Sequence, residues 1–155
     1  DAGVVKTAAV YRPGLLTLNT QTGNANYSDW LCRFVMGCLT FRGYRINKTV
    51  HPTPKLHMTP VDHAAKFLLA LDSQYVSADP ILTRFRVFHI PSTRVMAAED
   101  FMRAAAAAAD PKLAPLTAYN WEVNVASLTA THPMRPFADM FLDGLSGVPP
   151  HLEDP

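Results

Sequence analysis

A short apolar run over residues 4–11 (VVKTAAVY) is stopped by Arg12-Pro13-Gly14 and gives way, after a turn-rich stretch, to helical periodicity. Strands that alternate with helices restrict a chain to an α/β arrangement. The fixed φ of proline followed by a flexible glycine predicts that the first strand ends at Arg12. Residues 19–26 (NTQTGNAN) are all turn and cap chemistry. Beyond them Trp30, Leu31, Phe34, Val35, Cys38 and Leu39 recur at helical spacing with Gly43 just after, which predicts an amphipathic helix over 28–40.

Residues 43–54 (GYRINKTVHPTP) carry two prolines and no period, and read as a loop before a short strand over 56–58. Thr59-Pro60-Val61-Asp62 then supplies a hydroxyl N-cap, a proline at the first helical position and a carboxylate in the first turn. Ala64, Ala65, Leu68, Leu69 and Leu71 continue that helix. Residues 85–90 (FRVFHI) alternate as a second core strand, ended by Pro91. Alanine is the best helix former, so 97–109 is expected to be helical, although its polyalanine face is too small to make much of a core. Helical stretches follow over 121–128 and 134–142, after which Gly144, Gly147, Pro149 and Pro150 predict a frayed or extended end. Two clear strands and two short ones are thin for a complete α/β sheet.

With 155 residues, 48% of them hydrophobic and 17% charged, the chain suits one compact domain with a real core. A net charge of +1 with scattered basic residues gives no electrostatic footprint for nucleic acid or anionic lipid. No apolar stretch approaches the ~18 residues of a membrane span, and no signal-peptide pattern opens the chain. Cys32 and Cys38, without a C-x-x-C partner, read as buried small hydrophobes of a soluble, cytoplasmic protein. The chain opens at Asp1 and enters an apolar strand within a few positions, as though it began inside a domain.

Most chemistry-bearing motifs are missing. The seven glycines form neither G-x-G-x-x-G nor G-x-x-x-x-G-K, so the chain holds no self-sufficient dinucleotide site. Neither G-x-S-x-G nor H-E-x-x-H occurs. His51, His57 and His63 lack Cys or Glu at ligand spacing and read as surface or hydrogen-bonded histidines, so no metal is expected. Asp139 and Asp143 read as the solvated side of a helix rather than a glycosidase pair. Tyr44 and Lys48 spell Y-x-x-x-K, in which a lysine one helical turn away lowers the tyrosine pKa. Here the pair follows Gly43 in a loop, where an i, i+4 face is not expected, and no catalytic residue is assigned.

Taken together, Tyr11-Arg12-Pro13-Gly14, Thr22-Gly23 with Asn26 and Asp29-Trp30-Leu31, Gly37-Cys38, and Pro60-Val61-Asp62-His63-Ala64-Ala65 resemble one family. They are similar in order and spacing to the C-terminal half of thioester reductase domains. These are extended short-chain dehydrogenase/reductase relatives found at the end of nonribosomal peptide and polyketide synthases, in aminoadipate reductases and in carboxylic acid reductases. Val87-Phe88-His89, Trp121 and the 132–145 segment resemble its later strand and closing helices. The resemblance implies a partial Rossmann-type sheet with a helical substrate-binding subdomain, and the family's glycine-rich loop and true Y-x-x-x-K helix belong to an N-terminal half that is not in this sequence. It implies NADPH as cofactor of the complete domain, with none expected on this portion alone. It also implies an acyl or peptidyl carrier protein with its phosphopantetheine arm as partner, and release of an aldehyde or alcohol from the thioester.

On that likeness Arg12, Pro13 and Gly14 match the turn that faces the nicotinamide, since ligands of open α/β sheets gather at the carboxyl ends of strands. Trp30, Arg33 and Phe34 on the first helix would line the acyl or pantetheine channel, against the alternative that such spacing marks core. Asp62 matches a family motif, with helix capping as its physical job. A second reading is a stand-alone module that grips a carrier protein or acyl chain without redox chemistry, and a third is a dimerisation domain. A sheet deprived of its neighbouring half exposes an apolar flank, which would favour self-association.

Overall fold

The computed structural model describes residues 8–46, 55–73, 86–90, 92 and 95–142. In chain order the elements are β1 (Ala9–Pro13), β2 (Leu15–Thr17), α1 (Trp30–Phe41), β3 (Gly43–Tyr44), β4 (Lys55–Leu56), β5 (Met58–Pro60) and α2 (Val61–Leu71). There follow β6 (Arg86–Ile90), β7 (Met96–Ala97), α3 (Ala98–Ala108), β8 (Ala114–Pro115), α4 (Ala118–Ala126) and a 3-10 helix, Arg135–Phe141. The chain forms two compact units, one from 1–25 with 57–94 and the other from 26–56 with 95–155. Helices and small parallel pairs make this an α/β fold of partial Rossmann type.

In the first unit β1 runs parallel to β6 from Ala9↔Arg86 to Pro13↔Ile90. The strand extends past Arg12, where a stop is predicted. Pro13 sits at its carboxyl end, and the Gly14 amide makes the next bond, to the Ile90 carbonyl at 3.2 Å. After Gly14 the chain enters β2, which pairs in parallel with β5 and which no periodicity announced. That pairing also corrects the helix start. Thr59 lies opposite Leu16 in β5, Pro60 takes the N-cap place without a side-chain cap, and α2 begins at Val61. Of its residues only Ala64 is buried. Residues 4–7, Phe85 and Pro91 of the expected strands lie outside the described residues.

The second unit is built on α1, whose N-cap Asp29 accepts the Leu31 amide at 2.9 Å. The helix was expected to close on Gly43, yet the left-handed residue is Arg42, with φ 54°. Gly43 is needed for something else. It begins β3, parallel to β8, where a Cβ would stand 2.6 Å from Leu116 Cγ and 2.9 Å from the Ala114 carbonyl oxygen. The 56–58 strand is two strands: β4 pairs antiparallel with β7, whereas β5 belongs to the first unit. The alanine-rich helix buries Ala98, Met102 and Ala106. α4 starts earlier than its aromatic spacing indicates, on a Thr117 cap that accepts the Asn120 amide at 3.2 Å. The 134–142 helix is 3-10, with Pro136 near its start and a non-helical Phe137 (φ −124°, ψ 19°) inside it. Proline withholds a backbone donor and disfavours helical geometry at the preceding residue, which breaks a longer α-helix. Gly144, Gly147, Pro149 and Pro150 lie outside the described residues.

Fully buried Phe34, Trp121, Phe141, Met102, Met134 and Cys38 form this unit's core. Phe34 packs on Phe141 with centroids 4.8 Å apart and on Trp121 at 5.8 Å. Trp121 Nε1 donates to the Phe141 carbonyl at 2.6 Å, satisfying the polar end of a buried indole. Gly37 lets Met134 lie directly against α1, since a Cβ there would run into the Met134 side chain.

A pH dependence follows from the edge of this core. His132 stacks on Phe41 at 4.8 Å, its Nδ1 accepts the Met134 amide at 3.2 Å, and its Nε2 is buried without a partner. Burial holds its pKa below the ordinary 6.5. The unfolded chain therefore binds this proton more readily than the folded one. The stabilisation is complete above pH 6.5 and is lost as pH falls towards the lower folded value. Urea midpoints measured from about pH 8 to pH 5 are expected to fall more steeply for the native chain than for His132→Gln. Parallel curves for the two proteins would count against it.

Candidate functional site

The residues expected at the cofactor edge lie together at the carboxyl end of the parallel β1–β6 pair. Arg12 is exposed, Pro13 is half-buried, and Gly14 closes on His57, whose carbonyl oxygen would be only 3.1 Å from a Cβ at that position. Side chains alternate in direction along a strand, so Val10 and Arg12 share one face with their register partners Val87 and His89. That face is open: Val10 is 37% and Val87 40% exposed. On the opposite face Tyr11 and Phe88 stack at 5.3 Å. Two hydroxyls are buried here without hydrogen-bond partners, Tyr11 OH and Thr59 Oγ1.

Beyond β2 the 19–26 segment folds on itself through the polar side chains that its composition promised. The Asn19 side-chain carbonyl accepts the Gln21 and Thr22 amides at 2.8 and 3.1 Å, and the Gly23 amide donates to the Asn19 backbone carbonyl at 2.8 Å. Gly23 has φ 71°, a conformation in which glycine carries no Cβ penalty. The loop is tied to α2 by Asp62, whose Oδ1 accepts the Thr20 amide at 3.0 Å and whose Oδ2 accepts the Thr20 hydroxyl at 2.7 Å. These two bonds from Thr20 hold the Asp62 carboxyl below the usual carboxylate range, assisted by His63, whose Nε2 is 3.8 Å away. Asp62 therefore fastens a distant loop as well as standing in the first helical turn. No sequence signal joins positions 42 residues apart.

The residues expected on the acyl side belong to the second unit. Phe34 is wholly buried, part of the aromatic core. Arg33 staples the start of α1, with Nε donating to the Ser28 carbonyl at 3.1 Å and Nη1 to that of Pro133 at 3.2 Å. Trp30 is half-buried, its ring 6.2 Å from Phe141. Both cysteine thiols are raised above their ordinary range: Cys38 by burial, and Cys32 by burial and then by the Asp29 carboxylate. Neither is poised as a thiolate nucleophile.

Among the described residues no three His, Cys, Asp or Glu side chains gather to hold a metal. His57 and His63 are exposed, whereas His51 and Asp143 lie outside the described residues. Tyr44 stands in β3 rather than on a helix, and Lys48 is outside the described residues. No described helix is long and apolar enough to cross a membrane.

The NAD_binding_4 family, described as male sterility protein, matches residues 3–68. The aldehyde reductase lnaA of Aspergillus flavus is 32% identical over 81 residues, which are 52% of this chain and 7% of that protein. The fold is shared with the terminal R domain from the myxalamid PKS-NRPS biosynthetic pathway, with a TM-score of 0.60 and 21% identity over 91% of this chain and 32% of that one. The chain thus spans a small part of the relatives it matches. The likeness to a thioester reductase-type, extended short-chain dehydrogenase/reductase portion rests on the family pattern, the relative and the shared fold together.

Proposed function

From a male-sterility-type NAD-binding pattern and the fold of a terminal R domain, we propose that residues 1–155 are the substrate-binding portion of an NAD(P)H-dependent reductase. Its substrate is an acyl or peptidyl thioester on the phosphopantetheine arm of a carrier protein, and its product is an aldehyde or alcohol. The observation that carries this reading is the open face of β1–β6. Parallel strands are ordinarily covered on both faces, yet Val10 and Val87 stand exposed beside Arg12. Helices of a nucleotide-binding portion that packs on this pair would supply such cover.

The bound dihydronicotinamide would supply the hydride that reduces the thioester carbonyl. Arg12, Pro13 and Gly14, at the carboxyl end of a parallel pair, would hold it there, with Gly14 itself packed against the His57 carbonyl. Trp30, half-buried at the start of α1, has ring surface left to offer a ligand. Arg33 and Phe34 act behind it, fixing the helix through the Pro133 carbonyl and the aromatic core. The residue that supports the developing oxyanion belongs to the nucleotide-binding portion.

The test is NADPH oxidation with an acyl-pantetheine thioester. The 155-residue chain alone is expected to be inactive, and turnover is expected when it is joined to an N-terminal portion carrying the glycine-rich loop and the Y-x-x-x-K helix. Turnover by the isolated chain, or none by the joined protein, overturns the assignment.

A further inference from the structure

We propose that Asp62 is a positioning residue: by accepting both the amide and the hydroxyl of Thr20, it holds the 19–25 loop as a fixed wall at the carboxyl end of the β2–β5 pair. The role of that wall in substrate recognition rests on the reductase reading. The latch itself does not.

Three observations carry it. The carboxylate spends one oxygen on each Thr20 donor, a forked arrangement that fixes the loop in direction as well as distance. Its side chain is 10% exposed, and both oxygens are engaged by Thr20. The loop is otherwise closed by its own bonds, with the Gln21, Thr22 and Gly23 amides donating to Asn19 and the Asn24 amide donating to the Thr22 hydroxyl oxygen. It therefore moves as one body, and Thr20 is where that body is fastened to the helix. The loop begins two residues after β2, which leaves Gly14 by a single short strand. The wall stands at the carboxyl end of β2, one three-residue strand beyond the Gly14 turn.

Few charges compete for this carboxylate. Neither β2 (LLT) nor β5 (MTP) carries a titratable group, nor do residues 18–25; on α2 itself His63 is the neighbouring cation when protonated, and Lys66 follows one turn on. Protonating Asp62 removes an acceptor from the fork. Its carboxyl is held below its ordinary range, so the latch is closed at neutral pH and opens only as pH falls through that lowered value.

Amide hydrogen exchange on the 155-residue chain tests the latch directly. Asp62→Ala is expected to speed exchange over residues 20–25 by about ten- to a hundredfold, the effect of losing hydrogen bonds to a charged acceptor, with little change in α1. Thr20→Val, which keeps the amide and loses the hydroxyl, should produce a smaller rise, and Thr20→Ser should restore native rates. Unchanged loop exchange in Asp62→Ala, or Thr20→Ser behaving as Thr20→Val, overturns the latch. In the joined protein Asp62→Ala should raise KM for the acyl-pantetheine thioester about tenfold while kcat stays within about twofold, as lost ground-state binding requires. A loosened loop with an unaltered KM overturns the positioning role. An inactive native joined protein instead sinks the reductase reading, and with it the wall's role in recognition, while the exchange rates still decide the latch.

Discussion

Trp121→Ala is expected to lower the stability of the unit built on α1 by about 3–5 kcal/mol, the range for removing a large aromatic side chain from a core. Trp121 has no exposed surface, and three different interactions converge on it. Phe34 lies against it at 5.8 Å, Phe41 meets it edge-on at 5.7 Å, and its Nε1 is bonded to the Phe141 carbonyl at 2.6 Å. Alanine opens a cavity between α1 and α4 and strands the carbonyl at the same time. Trp121→Phe separates these effects. It keeps most of the apolar volume, leaves the Phe141 carbonyl without its donor, and should cost about 1–3 kcal/mol. Urea denaturation reads both values. A loss of under about 0.5 kcal/mol for Trp121→Ala, typical of surface positions, would mean that the indole is not the keystone of this core.

Phe34→Ala should lose a similar amount, about 3–5 kcal/mol, and this change distinguishes two roles for one residue. The family likeness offers Phe34 as part of an acyl channel, yet its ring is wholly buried against Phe141 at 4.8 Å and Trp121 at 5.8 Å. A core residue shows its removal in the urea midpoint of the chain alone, before any substrate is present. A channel residue would leave that midpoint within about 0.5 kcal/mol and weaken only the binding of an acyl-pantetheine thioester. Because Phe34 and Trp121 touch, their losses should not add. A coupling of about 0.5–3 kcal/mol is expected in the double variant. Trp30→Ala is the useful contrast, since its half-buried ring leaves it with less to lose in stability and more in recognition.

Local chemistry was legible wherever its cause is local. Apolar spacing from Trp30 to Leu39 located α1, the alternation at 86–90 located β6, and the alanine run located α3. Turn residues over 19–26 foretold a self-bonded loop, because Asn and Thr side chains reach backbone amides two or three positions away. What escaped were features set by distant partners. Gly43 has the marks of a helix stop, but packing by Leu116 claims it and leaves the left-handed turn to Arg42. Thr59 has every mark of an N-cap, yet pairing with β2 draws it into a strand. β2, β3, β7 and β8, none longer than three residues, have no period to detect.

The candidate site divides in the same way. The proline and glycine after Arg12 mark the end of an apolar strand by themselves, while only the family likeness ties Arg12, Pro13 and Gly14 to a cofactor. That Asp62 fastens Thr20, that Arg33 serves the Pro133 carbonyl and that Phe34 is sealed in the core depend on contacts across 42, 100 and 107 positions of chain. Backbone propensity and side-chain period act over a few residues, and from them alone the amino-acid order settles the α/β class and most helices. Which hydrogen-bond donor or aromatic ring meets which partner is decided when separate segments are packed against one another, and only the tertiary structure holds that information.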